Sequence, residues 1–347
     1  IVGHAASVQA QATAAIGEAM YAFSSWSDGG ALTHTVTATA PPPAPLVATY
    51  HLIGDDAPDT CAAAPIQSVG SSPVSARFGK ANDVDWIRFS VTSTRWYRFV
   101  AGNLPVDAVM TLYHGCSTAL ASSNAAGTHW EEILRSMTPG TYALRIASVG
   151  GAQSATPYRW QVQALSGTTP LLTSRSISTS SIRYVGDVFN TSTSPRSITI
   201  KATMYSASGK VLKSVTTHPL VTILGVRARS PFVVSTSRPA GLSYIRLTVT
   251  STSASRATRL LSVAGTASAP TPSTWKINGT ITNSSSTTAR NVAYIAEIYD
   301  SFGSTINATA SGASPSTLAR GRKTTFSVTF SGLTATPSAT TLRARAT

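Results

Sequence analysis

Five landmarks in the second half of this chain recur at a nearly fixed distance. Gly186 and Gly279 are 93 residues apart, as are Asn190 and Asn283; Tyr205 and Tyr299, Gly209 and Gly303, and Phe232 and Phe326 are each 94 apart. A spacing held to within one residue at five positions is the mark of an internal duplication. Each copy alternates with the two-residue period of a strand, first at Tyr184/Gly186/Val188 and Ile277/Gly279/Ile281, then over 198–205 and 292–299, and then turns at a glycine. The duplication predicts two small antiparallel β-sandwiches, one over 166–255 and one over 256–347.

The rest of the chain has the same character. It has 347 residues, 42% hydrophobic and 12% charged, which is too apolar for a disordered chain and too sparsely charged for a long coiled coil. No apolar run is long enough for a membrane-spanning helix. Residues 1–40 read as short strands. Tyr21, Phe23 and Trp26 break a strict alternation by one position, which predicts a twist or bulge, and Ser27-Asp28-Gly29-Gly30 has hairpin-turn chemistry. Residues 41–49 are a Pro-rich linker that stiffens as polyproline II. Residues 50–165 alternate through 84–91, 95–100, 109–113, 140–146 and 158–164, with turns between. The fold class expected is all-β: serial antiparallel β-sandwich domains, jelly-roll-like over 50–165 and then two immunoglobulin-like sandwiches.

Three resemblances accompany this reading. Phe23-Ser-Ser-Trp26-Ser27-Asp28-Gly29-Gly30 with Thr33-His34-Thr35 resembles the end of an internalin-type B-repeat. Asn82-Asp83-Val84-Asp85-Trp86-Ile87-Arg88-Phe89, Asp107 before Met110-Thr-Leu112-Tyr113, and Pro139-Gly140-Thr141-Tyr142 resemble the bacterial pre-peptidase C-terminal domain. That domain is a sandwich appended to secreted proteases, and some relatives bind calcium through loop carboxylates. Here Ser122-Ser123-Asn124 stands where those relatives carry an acidic pair. Tyr205-Ser206 and Tyr299-Asp300 place both copies near the FxLYD family of extracellular modules, without its leading Phe. Together the resemblances imply a bacterial protein, extracellular or at the cell surface.

Charge is unevenly placed. Residues 1–165 carry 8 Lys/Arg and 10 Asp/Glu, whereas 166–347 carry 19 and 3. The basic excess points to an anionic polymer or matrix as partner. The basic residues are scattered, and no zinc-finger, helix-turn-helix or aromatic-stripe pattern accompanies them, so no nucleic-acid partner is expected.

Catalytic motifs are absent. No Gly-x-Ser-x-Gly elbow, phosphate loop, His-Glu-x-x-His or dinucleotide fingerprint occurs. Ile1-Val2-Gly3 resembles an activated trypsin-like N-terminus, but no Gly-Asp-Ser-Gly-Gly run follows, and the lack of an initiator Met reads as a piece of a longer precursor. His129-Trp130-Glu131-Glu132 sets two carboxylates beside a His, but on a strand the two point to opposite faces. Cys61 and Cys116, the two cysteines of the chain, are most simply a disulfide, with buried free thiols as the alternative. Asp55, Asp56 and Asp59 in one turn, with Asp83 and Asp85 in another, have the oxygen chemistry of a calcium site; ordinary turn chemistry is the preferred reading of them. Trp130, on a loop, is the candidate platform for glycan stacking. Asn190, Asn278, Asn283 and Asn307 sit in glycosylation sequons, read as chance matches in a Ser/Thr-rich chain.

The function expected is a non-enzymatic structural or adhesive segment of a secreted or cell-surface protein, including a filament or surface-layer subunit. The alternatives are an accessory C-terminal region of a secreted hydrolase and a carbohydrate-binding module. The expected partners are further copies of the chain, the cell envelope or extracellular matrix, or a polysaccharide. No cofactor beyond calcium is expected. The strand-like stretch 341–347 is read as an exposed edge for self-association.

Overall fold

The computed structural model describes residues 3–16, 19–37, 45–54, 56–70, 72–165, 171–271, 273–333 and 335–347. Residues 41–44 of the Pro-rich linker and Asp55 therefore lie outside the described residues. The architecture is predominantly antiparallel β-sheet, and the chain divides into two compact units, Ile1–Gln163 and Ala164–Thr347.

The first unit begins with β1 (Ala5–Gln9), β2 (Thr13–Ile16), β3 (Ala19–Trp26), β4 (Thr33–Thr37) and β5 (Ala48–Leu52). β1 pairs with β4, and β3 lies between β2 and β5. A register shift between Phe23 and Ser25 supplies the bulge that the aromatic spacing predicts. The Asp28 turn differs from expectation, because β3 and β4 lie in different sheets and form no hairpin. Asp28 instead accepts the Gly30 N–H at 3.0 Å and holds His34 Nε2 at 2.8 Å, so its carboxylate serves a corner between sheets. β5 pairs with β3, so residues 48–52 are bonded into this first segment and not into a linker or the following sandwich.

Next come β6 (Ile66–Gln67), β7 (Val74–Phe78), β8 (Val84–Val91), β9 (Arg95–Gly102), β10 (Ala108–His114), β11 (Thr118–Ser123), β12 (Glu131–Met137), β13 (Gly140–Ser148) and β14 (Ser154–Leu165). They form a five-stranded sheet, β11-β10-β13-β8-β6, and a four-stranded sheet, β12-β9-β14-β7. β8 shows the expected alternation: Asp85, Ile87, Phe89 and Val91 are buried, and Trp86, Arg88 and Ser90 are not. Phe78, Phe89, Phe99 and Tyr158 are fully buried, with Phe78 stacked on Tyr158 at 4.8 Å.

The second unit contains β15 (Leu171–Ile177), β16 (Ser181–Phe189), β17 (Arg196–Tyr205), β18 (Val211–Thr217), β19 (Ile223–Leu224), β20 (Arg229–Ser237) and β21 (Tyr244–Ser253). Then follow β22 (Arg259–Thr271), β23 (Thr274–Thr282), β24 (Ala293–Tyr299), β25 (Thr305–Gly312), β26 (Lys323–Phe330) and β27 (Ala339–Ala346). The duplication holds at the level of pairing. β15-β16-β20 and β18-β17-β21 recur as β22-β23-β26 and β25-β24-β27. Gly186 faces Phe232 across strands as Gly279 faces Phe326, and a bulge falls at Met204/Tyr205 and again at Ile298/Tyr299. The landmark glycine has a reason: a Cβ at Gly279 would collide with the Phe326 ring.

The duplication also holds at atomic detail. Buried Asn190 donates from Nδ2 to the carbonyls of Ser194 (2.9 Å) and Leu224 (3.1 Å), and its Oδ1 accepts from the Ser192 N–H and hydroxyl. Asn283 repeats this knot with Thr287 (2.9 Å), Leu318 (2.8 Å) and Ser285. The sequon residues Asn190 and Asn283 are thus structural, because buried amides must be bonded and these are.

One strand ties the copies together and another joins the sheets of the second. Thr173 of β15 bridges Thr305 of β25 in parallel, and within the second copy β22 pairs first with β27 and then with β23. The result is a nine-stranded sheet, β20-β16-β15-β25-β24-β27-β22-β23-β26. This corrects the expectation of a free C-terminal edge: β27 is flanked by β24 along its length and by β22 at Ala344–Ala346. The last residues of the stretch are flanked on both sides because the second copy needs β27 as the partner of β24 and then of β22.

Candidate functional site

The sequence-predicted residues of the first unit do not converge. Cys61 and Cys116 form a disulfide with Cα atoms 5.6 Å apart. Asp56 accepts the Arg77 N–H at 3.1 Å, and Asp59 pairs with Lys80. Asp83 and Asp85 are buried; Asp83 accepts the Gly79 N–H, and Asp85 accepts the Tyr158 hydroxyl. Burial, then the Asp85 charge, hold the Tyr158 phenol well above its ordinary range. Asp83 and Asp85 share one side, as their two-residue spacing requires, and that side is the sandwich interior. Among the described residues no three His, Cys, Asp or Glu side chains are grouped to hold a metal ion. Trp130 is half-buried on the loop before β12, its ring edge-on to His129 at 6.4 Å. Glu131 and Glu132 face opposite sides of β12, as expected: Glu131 is buried and accepts the Ala125 N–H at 2.9 Å, whereas Glu132 pairs with the buried Arg98.

What the sequence reading missed lies in the second unit. The odd-numbered side of β16 packs on the odd-numbered side of β24 and on β25. Ile295 of the second copy joins the core cluster of the first, and Arg183 donates to Asn307 Oδ1 (2.6 Å) and the Ala308 carbonyl (3.1 Å). At the centre, Asp187 and Glu297 are both fully buried. Arg229 pairs with Asp187, and Arg343 pairs with Glu297 at 2.9 Å. The Thr305 hydroxyl is 2.8 Å from Glu297 Oε1 and 3.3 Å from Asp187 Oδ2. The Arg229 guanidinium also lies over the Tyr299 ring, 5.5 Å from its centroid. Burial first, and then the nearby Asp187 charge, push the Glu297 carboxyl up to about 8 against the pull of Arg343 and Arg229. A signal was present: at the matched positions the copies disagree, Asp187 against Thr280 and Glu297 against Thr203.

This cluster sets the surface charge. The unit has three carboxylates, Asp187, Glu297 and Asp300, and two of them are spent inside it. Asp300 accepts the Phe302 and Ser304 N–H groups at 2.9 and 2.8 Å and so closes a turn. With Arg229 and Arg343 paired inside, 17 of the 19 Lys and Arg residues are opposed by Asp300 alone. Lys201, Arg246, Arg256, Lys276, Arg320 and Lys323 are exposed. Arg256, Arg259 and Arg345 line one cleft of about 770 Å³ at the junction of the copies.

No family model and no curated protein matches the chain. Among solved structures, the pre-peptidase C-terminal domain of a collagenase from Bacillus anthracis is a distant structural likeness. It is 17% identical, with 28% of this chain and 97% of that domain covered and a TM-score of 0.24. A β-glucuronidase from Bacteroides uniformis is 13% identical over 59% of this chain and 25% of its own, with a TM-score of 0.31. A putative β-galactosidase from Bacteroides fragilis is 10% identical over 59% and 31%, with a TM-score of 0.29. The alignments thus span between a quarter and a third of those two hydrolases. No described helix is long and apolar enough to cross a membrane.

Proposed function

We propose that this chain is a non-enzymatic, extracellular binding segment, accessory or adhesive in role, whose second unit holds an anionic polymer, with an acidic polysaccharide as the favoured class. One observation carries this reading: the unit buries its carboxylates and leaves a surface of almost one sign. Such a surface concentrates polyanions, and the attraction weakens with salt. The Cys61–Cys116 disulfide supports an oxidising, extracellular setting. The internalin-like, pre-peptidase-like and FxLYD-like motifs support the same setting, and with it a jelly-roll-like sandwich followed by two immunoglobulin-like ones.

Adhesion is favoured over filament growth by the copies themselves. The face that the first copy buries against the second carries Val185, Asp187 and Phe189, but the matching face of the second copy carries Asn278, Thr280 and Thr282. The internal interface therefore does not continue into a further copy.

The test is chromatography of the full chain on immobilised polygalacturonate and on neutral dextran. Retention on the first alone, reversed by salt, is expected. Passage through both resins unretained would overturn the reading.

A further inference from the structure

We propose that the outward face of β17, β18 and β21 is the saccharide-binding surface, with Tyr244 as the stacking platform and Arg246 and Lys201 as the carboxylate-binding groups. This rests on the reading above and specifies its site.

The duplication supplies an internal comparison. In the second copy the equivalent face is covered, and its cross-strand rows are Ala310/Ile295/Arg343, Ala308/Glu297/Thr341 and Thr305/Tyr299/Ala339. In the first copy the rows are Thr216/Lys201/Thr248, Ser214/Thr203/Arg246 and Val211/Tyr205/Tyr244. Under cover the rows hold one paired acid and base, Glu297 and Arg343, one tyrosine and otherwise small or apolar residues; where the face is open they hold hydroxyls, two cations without an acid and an aromatic pair. Lys201, Ser214, Thr216, Tyr244, Arg246 and Thr248 are all exposed.

Geometry favours a sugar. Tyr205 and Tyr244 stack at 4.8 Å with planes 10° apart, so Tyr205 backs one face of the Tyr244 ring. Tyr244 remains 46% exposed, which leaves its other face to meet the C–H surface of a pyranose. At position 299, which matches 205, the ring instead receives the Arg229 guanidinium. Arg246 lies one same-face step from Tyr244, about 7 Å along the strand, within reach of an acidic group on the stacked or neighbouring sugar. Lys201 lies on the next strand, two residues beyond the one paired with Arg246. The hydroxyls of Ser214, Thr216 and Thr248 offer further hydrogen bonds, and no carboxylate lies in these three rows. An acidic saccharide satisfies both the ring and the cations.

Binding of polygalacturonate by the full chain is measured calorimetrically in low salt for the parent and for three variants. Tyr244→Ala is expected to weaken binding about fivefold and Lys201→Gln/Arg246→Gln at least about tenfold. Arg256→Gln, in the junction cleft, is expected to stay within about twofold. All three sites are exposed, so unchanged urea midpoints are expected and show that folding is intact. If the parent binds but the Tyr244 and Lys201/Arg246 variants bind equally well, this site is wrong while the broader reading stands. If Arg256→Gln alone abolishes binding, the cleft is the site. If the parent does not bind, both fall. If single-stranded DNA binds more tightly through the same residues, the ligand class is wrong.

Discussion

Asp187 and Glu297 belong to different copies of the duplicated sandwich and meet across a single hydroxyl, that of Thr305. Both carboxyls are without solvent contact, and each has an arginine from its own copy. The Asp187–Arg229 charge pair costs desolvation energy in such a place, but losing Asp187 costs more, because a bare guanidinium remains buried.

Asp187→Ala should accordingly destabilise the second unit by about 3–5 kcal/mol. The matched substitution Thr280→Ala, on an open face, should change stability by no more than about 0.5 kcal/mol. Urea unfolding of both variants measures the difference, and equal effects would remove the cluster from the account of how the copies hold together.

Glu297 makes stability depend on pH in a definite direction. Its carboxyl rises from an ordinary 4.5 to about 8 on folding, so between those values the native state keeps a proton that the unfolded state has released. Stability is then fullest below about pH 4.5, falls as pH climbs toward 8, and levels above it, with a slope of up to about 1.4 kcal/mol per pH unit. Glu297→Gln removes the titrating group and should flatten that slope. Urea midpoints at several pH values between 5 and 8 compare the two proteins, and parallel curves would contradict the assignment.

The asparagine knots give a paired prediction. Asn190→Ala takes the amide donor from three backbone carbonyls and Asn283→Ala from two, and each should cost about 2–3 kcal/mol. Similar losses are expected because the two knots are built alike. A large loss in one copy with none in the other would show that the likeness is only geometric.

Reducing the Cys61–Cys116 bond frees a loop of 55 residues. On chain-entropy grounds this should lower the stability of the first unit by about 4 kcal/mol and leave the second untouched. Calorimetry with and without reductant separates the two transitions, and a shift confined to the second would be inconsistent with the unit boundary.

The sequence carried the strands and the repeat because both are periodic. Gly186 with Gly279 and Tyr205 with Tyr299 announce themselves by spacing, and β8 announces its buried side by alternation. The disulfide was legible for a similar reason, since two cysteines in one segment leave little choice. The Asp28 turn misled because turn chemistry reports that the chain bends, not which strands it joins. The terminal strand misled because an edge is a property of the assembled sheet. Arg98, a cation within an ordinary-looking strand, gave no sign that it would be fully buried. The ionic cluster was visible only in the differences between the copies, where Asp187 faces Thr280 and Glu297 faces Thr203 in alignment.

Those differences give the pair a fixed sequence of assembly. If the two copies were transposed along the chain, Thr280 and Lys323 would be pressed against Lys201 and Thr203, with no acid to receive either cation. The two halves of the duplication are a lock and its key, each fitted for one place.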